Sequence, residues 1–385
     1  MKYLAAAAAL AWAGPALSQT APLSADVPSA ARMSPELLAA TEREAGPVLV
    51  ALEKLGGGKG ARDTAGGLRL LREEAGKNNE LATILLGAIY GDGAYGVPRD
   101  SAENIRWYRR LFDGARPGSP WRGGAAAALG TYYMRGEGVA RDDAEAARLL
   151  KIAAEAGDKE GMTWYGIVLA SGRGVPLDHA AAVRWLTPPA EGGDRAAMTM
   201  LGFLYERGDG VPRDPARALQ LHRAAADKGS NLSATRAALL LLTGTDQDPK
   251  LAFHYAGIAA AGGESDAMAI FGVMHLNGIG TPVNHEEAVR WLRPAAEKGD
   301  AAAMLELVYA FARSQGKAVP QAEAYVWLQK SADLGNPQAM FLLAGSIERG
   351  FVPGTRDDAI GWYRKAAAKG DTKAVDALKR LGVAP

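Results

Sequence analysis

The chain repeats a segment of about 36 residues, and this repetition constrains its fold more than any other feature. Gly130, Gly166 and Gly202 are spaced 36 residues apart, and each precedes a glycine-rich turn, an acidic residue and an alanine-rich segment that ends in glycine. The same register gives eight units over residues 78–381, with a degenerate ninth before them. A period of this length indicates an array in which each repeat buries its apolar face against its neighbours.

Each unit is predicted to form two helices, because the recurring polar residues have helical roles. A short hydrogen-bond acceptor precedes each second helix, where it can bond the free amides of the first turn. The predicted N-caps of these helices are Asp100, Asp142, Asp178, Asp214, Asp248 and Asn284. Asp142 and Glu145 have the spacing of a capping box, which recurs in two other units. Glycines such as Gly157 follow the second helix. The residue after a helix often adopts a left-handed conformation, which favours glycine.

The stretch GDGAYG has the spacing of a dinucleotide-binding loop. Such a loop follows a strand inside a βαβ unit, whereas the preceding LATILLGAIY has helical counterparts in the other repeats. Gly91, Gly93 and Gly96 are therefore predicted to form the turn between two helices. Gly166 and its counterparts lie inside a helix instead, where glycine costs about 1 kcal/mol relative to alanine. Their recurrence predicts that another helix crosses closely at that point.

The pattern Leu-Gly-x-x-Tyr-x-x-Gly-x-Gly-Val, followed by Asp, Ala, Trp and Ala-Ala-x-x-Gly, resembles the Sel-one-like repeat (SLR), a relative of the tetratricopeptide repeat with a longer period. The resemblance covers residues 78–381. It implies an all-α fold, a right-handed α-solenoid of about eight to nine helix-turn-helix repeats, and a role as an adaptor for other proteins. It also implies that exported bacterial members serve envelope assembly, signalling, exopolysaccharide regulation or contact with a host.

The chain is expected to divide into four segments. Its first residues, MKYLAAAAALAWAGPALSQT, join one lysine, a short apolar run and a small-residue end, which is typical of a signal peptide cleaved after Ser18. We expect residues 1–18 to direct export to the periplasm, with full secretion left open, and residues 19–33 to form a disordered linker. Residues 34–77 are expected to form a divergent helical pair, and residues 78–385 the solenoid with a C-terminal capping helix.

The composition narrows the possible functions. The chain carries 44 Lys and Arg against 43 Asp and Glu, so it lacks the basic footprint of a nucleic-acid binder. It has no cysteine, which excludes a disulfide framework, a zinc–cysteine site and a thiol nucleophile. No apolar stretch after the signal peptide is long enough to span a membrane. The histidines lack metal-ligand spacing, so we predict no catalytic residue, no metal site and no cofactor.

Three residues are predicted to contact a partner. Trp121 and Arg122 lie in GARPGSPWRGG, where the first full unit is seven residues longer than the next ones, and its Pro and Gly residues predict an irregular projection. Inserted loops on solenoids often lie at a binding face, but the alternative is a loop that only covers a neighbouring repeat. Trp164 occupies a helical position that either packs between repeats or lines a concave surface.

Together these features predict a non-enzymatic periplasmic scaffold that binds a protein or peptide partner in the cell envelope. The alternative is a carbohydrate- or peptidoglycan-binding component of envelope or exopolysaccharide machinery, which requires at least two exposed aromatic rings on one face. A third interpretation is a cell-wall hydrolase, which requires titratable groups that converge in one pocket.

Overall fold

The computed structural model describes residues 35–57, 61–116, 119–244 and 247–384. The predicted signal peptide (1–18) and linker (19–33) lie outside the described residues. In the described part of the chain every regular element is a helix, which confirms the all-α prediction. The chain divides between Arg213 and Asp214 into two compact units.

The helices follow one another in chain order through the two units. The first unit contains α1 Pro35–Gly56, α2 Thr64–Gly76, α3 Glu80–Asp92, α4 Ser101–Gly114, α5 Pro120–Arg135, α6 Asp143–Glu155, α7 Lys159–Ser171, α8 His179–Glu191 and α9 Arg195–Arg207. The second unit contains α10 Pro215–Asp227, α11 Asn231–Thr243, α12 Pro249–Ala261, α13 Ser265–Asn277, α14 His285–Glu297, α15 Ala301–Ser314, α16 Gln321–Asp333, α17 Pro337–Glu348, α18 Arg356–Ala368 and α19 Thr372–Arg380. Helices α1 and α2 occupy the segment expected to hold the divergent pair, and α19 follows the last repeat.

Neighbouring repeats share one core. Within each unit every helix packs against the next one in the chain, and first helices of neighbouring repeats also pack side by side, as α5 does with α7 and α13 with α15. Within each unit, neighbouring repeats therefore complete one another's core, which is the packing of a solenoid. The solenoid predicted from the sequence is confirmed.

The predicted N-caps are confirmed, but the capping boxes are not. Asp142 accepts hydrogen bonds from the backbone N–H groups of Ala144 and Glu145 at 3.0 and 2.9 Å, and the other five caps bond their own first turns. A capping box also needs Glu145 to accept the N–H of Asp142, yet that N–H already donates to the Tyr133 carbonyl at 3.0 Å. The Glu145 carboxylate pairs with Arg148 instead, at 2.7 Å.

The glycine-rich turn of the first repeat is confirmed at two of its three glycines. Gly93 and Gly96 have φ angles of 70° and 73°, a left-handed conformation that glycine adopts without strain. Gly91 lies inside α3, so its assignment to the turn is wrong. The Asn104 side-chain amide of α4 donates to the Gly87 carbonyl at 2.7 Å, and a Cβ on Gly91 would collide with that amide. Gly91 therefore serves the close approach of α4.

The glycines inside the first helices mark close helix crossings, as predicted. A Cβ on Gly166 would lie 2.5 Å from Cγ of Leu186 in α8, and Leu186 is fully buried. Gly130 and Gly272 face a buried leucine of their own partner helices in the same way. The leucine side chain thus occupies the space that any larger residue would need.

One N-cap residue, Asp158, has a buried carboxyl group. Asp158 begins α7, accepts the N–H of Gly161 at 2.7 Å and is 8% exposed. Burial raises the pKa of its carboxyl group from 3.8 to about 6, although the hydrogen bond from Gly161 acts in the opposite direction. This cap is therefore less stable when charged than when protonated.

Candidate functional site

A cleft of about 370 Å³ opens in the second unit, between α15, α17 and the turn that joins α18 to α19. Its volume lies at the lower end of the roughly 300–1,000 Å³ that ligand pockets occupy. It is lined by Tyr309, Pro337, Gln338, Phe341, Leu342, Lys369, Gly370, Asp371, Thr372 and Lys373. The space suits a few side chains of a bound segment.

The floor of the cleft, defined as Tyr309, Pro337, Phe341 and Leu342, is apolar. Tyr309 comes from α15, and the other three lie on one face of α17, where positions four apart are neighbours. All four are half-buried, so part of their apolar surface is open to solvent. The ring of Phe341 packs 5.6 Å from the ring of Tyr363 on α18, which supports the floor from behind.

The rim of the cleft, defined as Lys369 and Lys373, is cationic. Both lysines are exposed, and neither forms an ion pair with a described residue. Asp371 lies between them in the chain, but its carboxylate accepts the N–H of Ala374 at 2.9 Å as the N-cap of α19. Lys369 Nζ lies over the preceding repeat, since a Cβ on Gly335 would be 3.1 Å from it. The rim therefore presents two uncompensated positive charges beside an apolar floor.

The tyrosine of the floor keeps its proton at neutral pH. Burial and the neighbouring Glu306 raise the pKa of the Tyr309 phenol, with Arg313 acting against them. Glu306 lies one helical turn before Tyr309 on α15, and burial raises the pKa of its carboxyl group as well. Tyr309 can therefore donate a hydrogen bond through its hydroxyl group, next to the apolar face of its ring.

Trp121 does not lie on a projecting loop, so the structural reason for which it was predicted to contact a partner is wrong. It is 3% exposed and belongs to the core of the first unit. The hydroxyl oxygen of Ser119 accepts the Trp121 N–H at 3.2 Å, and Pro120 is the first residue of α5, so the helix begins inside the expected loop. The Ser119 hydroxyl group also donates to the buried carboxylate of Glu80 at 2.6 Å, which holds the segment against the core.

The other two predicted contact residues reach the surface of the first unit. Arg122 is exposed, and its guanidinium carbon lies 4.7 Å from the centroid of the Phe112 ring. Trp164 is half-buried on α7, donates through Nε1 to Glu160 at 3.3 Å and lies under the guanidinium of Arg135 at 5.8 Å. Neither residue belongs to the cleft, and their contact with a partner stays a prediction.

The position that Trp164 occupies in its repeat corresponds, in the last repeat, to a residue of the cleft. Half-buried side chains occupy its equivalent in later repeats, at Met200, Ile270, Glu306 and Leu342, and Leu342 belongs to the floor. The sequence pattern does not predict the roles of Phe341, Lys369 or Lys373. Tyr309 and Phe341 are each adjacent in the chain to a position that corresponds from one repeat to the next. An alignment of the repeats would therefore have pointed to both residues.

Neither a metal-ligand cluster nor a membrane-spanning helix occurs among the described residues. No group of three or more His, Cys, Asp or Glu side chains within them is placed to hold a metal ion. None of the helices described has both the length and the apolar character needed to cross a membrane.

The Sel1 repeat family model matches eight segments of the chain. The matched residues are 81–113, 124–158, 159–194, 195–230, 232–264, 265–300, 301–336 and 337–371. These segments coincide with the eight helix pairs from α3 to α18.

Two solved structures resemble the chain in sequence and fold. One is the crystal structure of c5321, a protective antigen present in uropathogenic Escherichia coli strains displaying an SLR fold. It is 28% identical with a TM-score of 0.76, and the match covers 91% of this chain and 75% of that one. The other is a Sel1 repeat protein from Oxalobacter formigenes, which is 29% identical with a TM-score of 0.54, over 88% of this chain and 94% of that one. No curated protein matches the chain.

Proposed function

Because the chain belongs to the Sel1 repeat family, we propose that it is a non-enzymatic scaffold that binds a protein or peptide partner in the periplasm. Sel1 repeat proteins are generally protein–protein interaction scaffolds. The process served by this one is envelope assembly, signalling or exopolysaccharide regulation.

The cleft is the observation that carries this proposal. Its floor leaves apolar surface open to solvent, and its rim leaves two charges uncompensated. A partner segment would remove the apolar surface of Leu342 and Phe341 from water, which contributes roughly 25 cal/mol per Å². Gln338, exposed on the same wall, can bond the backbone of an extended segment through its amide.

The chemistry of the cleft favours binding over catalysis. The Sel1 repeat solenoid is typically non-catalytic. The Asp371 carboxylate is engaged as a helix cap, and the raised pKa of Tyr309 makes its phenol a poor base at neutral pH. Lys369 and Lys373 are exposed ammonium groups, which suit charge recognition better than proton transfer.

The periplasmic location is tested through the amino-terminal segment. Residues 1–34 would be fused to a β-lactamase that protects cells only after export, and residues 19–34 fused alone would serve as the control. We expect ampicillin resistance from the first fusion and none from the second. Sensitivity with both fusions would contradict the location.

Partner binding at the cleft is tested by site-specific photo-cross-linking in intact cells. A benzophenone amino acid would replace Gln338 in the cleft or, as the control, Val326 on α16, which is 51% exposed and does not line the cleft. We expect a discrete cross-linked protein band from position 338 that position 326 does not give. Identical band patterns from both positions would remove the support for a binding site here.

Carbohydrate binding is the second candidate, because the rings of Tyr309 and Phe341 line the same cleft. Both rings are half-buried, so each leaves only part of its surface open for stacking on a sugar. Isothermal titration with envelope polysaccharide distinguishes the two candidates. Heat that Phe341→Ala abolishes supports the sugar, and heat that this substitution leaves unchanged places any sugar elsewhere.

A further inference from the structure

We infer that the cleft receives an acidic segment of a partner protein, in which a bulky apolar side chain lies next to one or more carboxylates. This inference rests on the proposed function and specifies the chemistry of the partner. The apolar floor of the cleft favours the apolar side chain of the segment, and the cationic rim favours its carboxylates.

The rim provides the charge argument. Lys369 and Lys373 lie on either side of the turn into α19 and have no ionic partner among the described residues. Among the described residues, Asp371 is the only acid that lines the cleft, and its carboxylate is bonded to the first turn of α19. A carboxylate placed near both lysines gains attraction from two cations, while a basic segment meets repulsion from both.

The paired lysines are specific to this turn. Two positions in each repeat correspond to those of the paired lysines. The first immediately precedes the terminal glycine of the second helix, and the second lies three positions after that glycine. At the turn before α19 these positions hold Lys369 and Lys373. The preceding turns hold the pairs Ala156 and Glu160, Gly192 and Ala196, Lys228 and Leu232, Gly262 and Asp266, Lys298 and Ala302, and Leu334 and Gln338. No other of these turns presents two cations, so the charge is a local feature and not part of the repeat pattern.

The floor and the volume limit the rest of the segment. Tyr309, Phe341 and Leu342 offer half-buried apolar surface from two helices, which favours an aromatic or aliphatic side chain. About 370 Å³ holds one or two such side chains and excludes a folded element from the cleft itself. The occupant is therefore a short extended segment or an exposed loop of the partner.

The test is a selection of random twelve-residue peptides displayed on phage, carried out with the full chain. The wild type would be compared with Lys369→Glu/Lys373→Glu, which reverses the rim. The matched control, Lys228→Glu/Lys250→Glu, changes the net charge equally at two exposed lysines outside the cleft. The most enriched peptide would then be synthesised with a fluorophore, and its affinity for all three proteins would be measured by anisotropy.

We expect enriched peptides to carry Asp or Glu within two positions of an aromatic or aliphatic residue. The rim reversal should weaken binding at least tenfold, the control should change it less than twofold, and 0.5 M salt should weaken wild-type binding as screening shortens the range of the charges. Enriched peptides that lack acids and bind the rim-reversed variant as tightly as the wild type would overturn this inference and leave the scaffold function standing. No enrichment over beads without protein would contradict both.

Discussion

Replacing Gly166 by alanine tests the close helix crossing that Gly130, Gly166 and Gly272 mark in their repeats. The new Cβ would lie 2.5 Å from Cγ of Leu186 and 3.3 Å from the backbone oxygen of Ala182. Leu186 has no exposed surface, so its side chain cannot turn outward to make room. The helix α7 must then shift away from α8, or Leu186 must leave its preferred rotamer.

Two opposing contributions determine how much the Gly166→Ala substitution changes the free energy of unfolding. Alanine favours the helix interior over glycine by about 1 kcal/mol, whereas overpacking a dense core costs about 1–3 kcal/mol. We expect the contact at Gly166 to fall at the upper end of that range, because the Cβ would meet a branched carbon and backbone rather than a flexible chain end. The Gly166→Ala variant should therefore lose about 1–2 kcal/mol of unfolding free energy.

The matched control is Gly361→Ala. Gly361 lies inside α18, and a Cβ there would meet no atom within 4 Å. This variant should gain up to about 1 kcal/mol, because it benefits from helix propensity alone. Urea unfolding of both variants, followed by circular dichroism at 222 nm, measures the difference. If Gly166→Ala proves as stable as Gly361→Ala, the close crossing does not exist as described.

Adding Leu186→Ala to the Gly166→Ala variant shows whether a steric clash with Leu186 causes the loss of stability. Leu186→Ala alone should cost about 2–5 kcal/mol through the cavity that it leaves. In the double variant the new methyl group at position 166 enters that cavity. The two changes together should therefore cost at least 1 kcal/mol less than their sum.

Three further predictions concern two N-caps and the half-buried Trp164. Asp158→Asn keeps the cap but removes the buried charge. Because the raised pKa favours protonated Asp158 in the folded state, the stability that it contributes is full below pH 4 and is lost as pH rises through 6. The asparagine variant should thus match the wild type at pH 4 and exceed it by up to about 3 kcal/mol at pH 8 in urea unfolding. Asp142→Ala should cost about 1 kcal/mol, while Asp142→Asn should cost less than half of that in the same assay. Trp164→Ala should leave peptide binding at the cleft unchanged by anisotropy, because Trp164 does not line the cleft.

The sequence predicts most of the fold because the repeat displays each helix boundary several times. A cap such as Asp142 or a terminal glycine such as Gly157 has a local physical reason, and its recurrence removes the ambiguity of a single copy. The capping boxes fail for a reason that is not local. The N–H of Asp142 is taken by the carbonyl of Tyr133, a residue of the preceding helix, and sequence spacing does not show that bond.

The candidate site is harder to predict because its parts come from different helices. Phe341 and Lys369 are 28 positions apart, and only the packing of α17 against its neighbours brings them to one cleft. Trp121 shows the opposite error, since its Pro- and Gly-rich surroundings indicate a loop. The Ser119-Pro120 pair is itself a helix start, with an N-cap followed by proline at the first position, and it places Trp121 in the core.

Hydrogen exchange measured with the partner identified by cross-linking tests the binding site most directly. The backbone amides of α17 and of the turn from Lys369 to Lys373 should exchange more slowly in the complex, while those of α7 around Trp164 should not change. Protection confined to the first unit, or none in α17, would contradict the assignment of partner binding to the cleft.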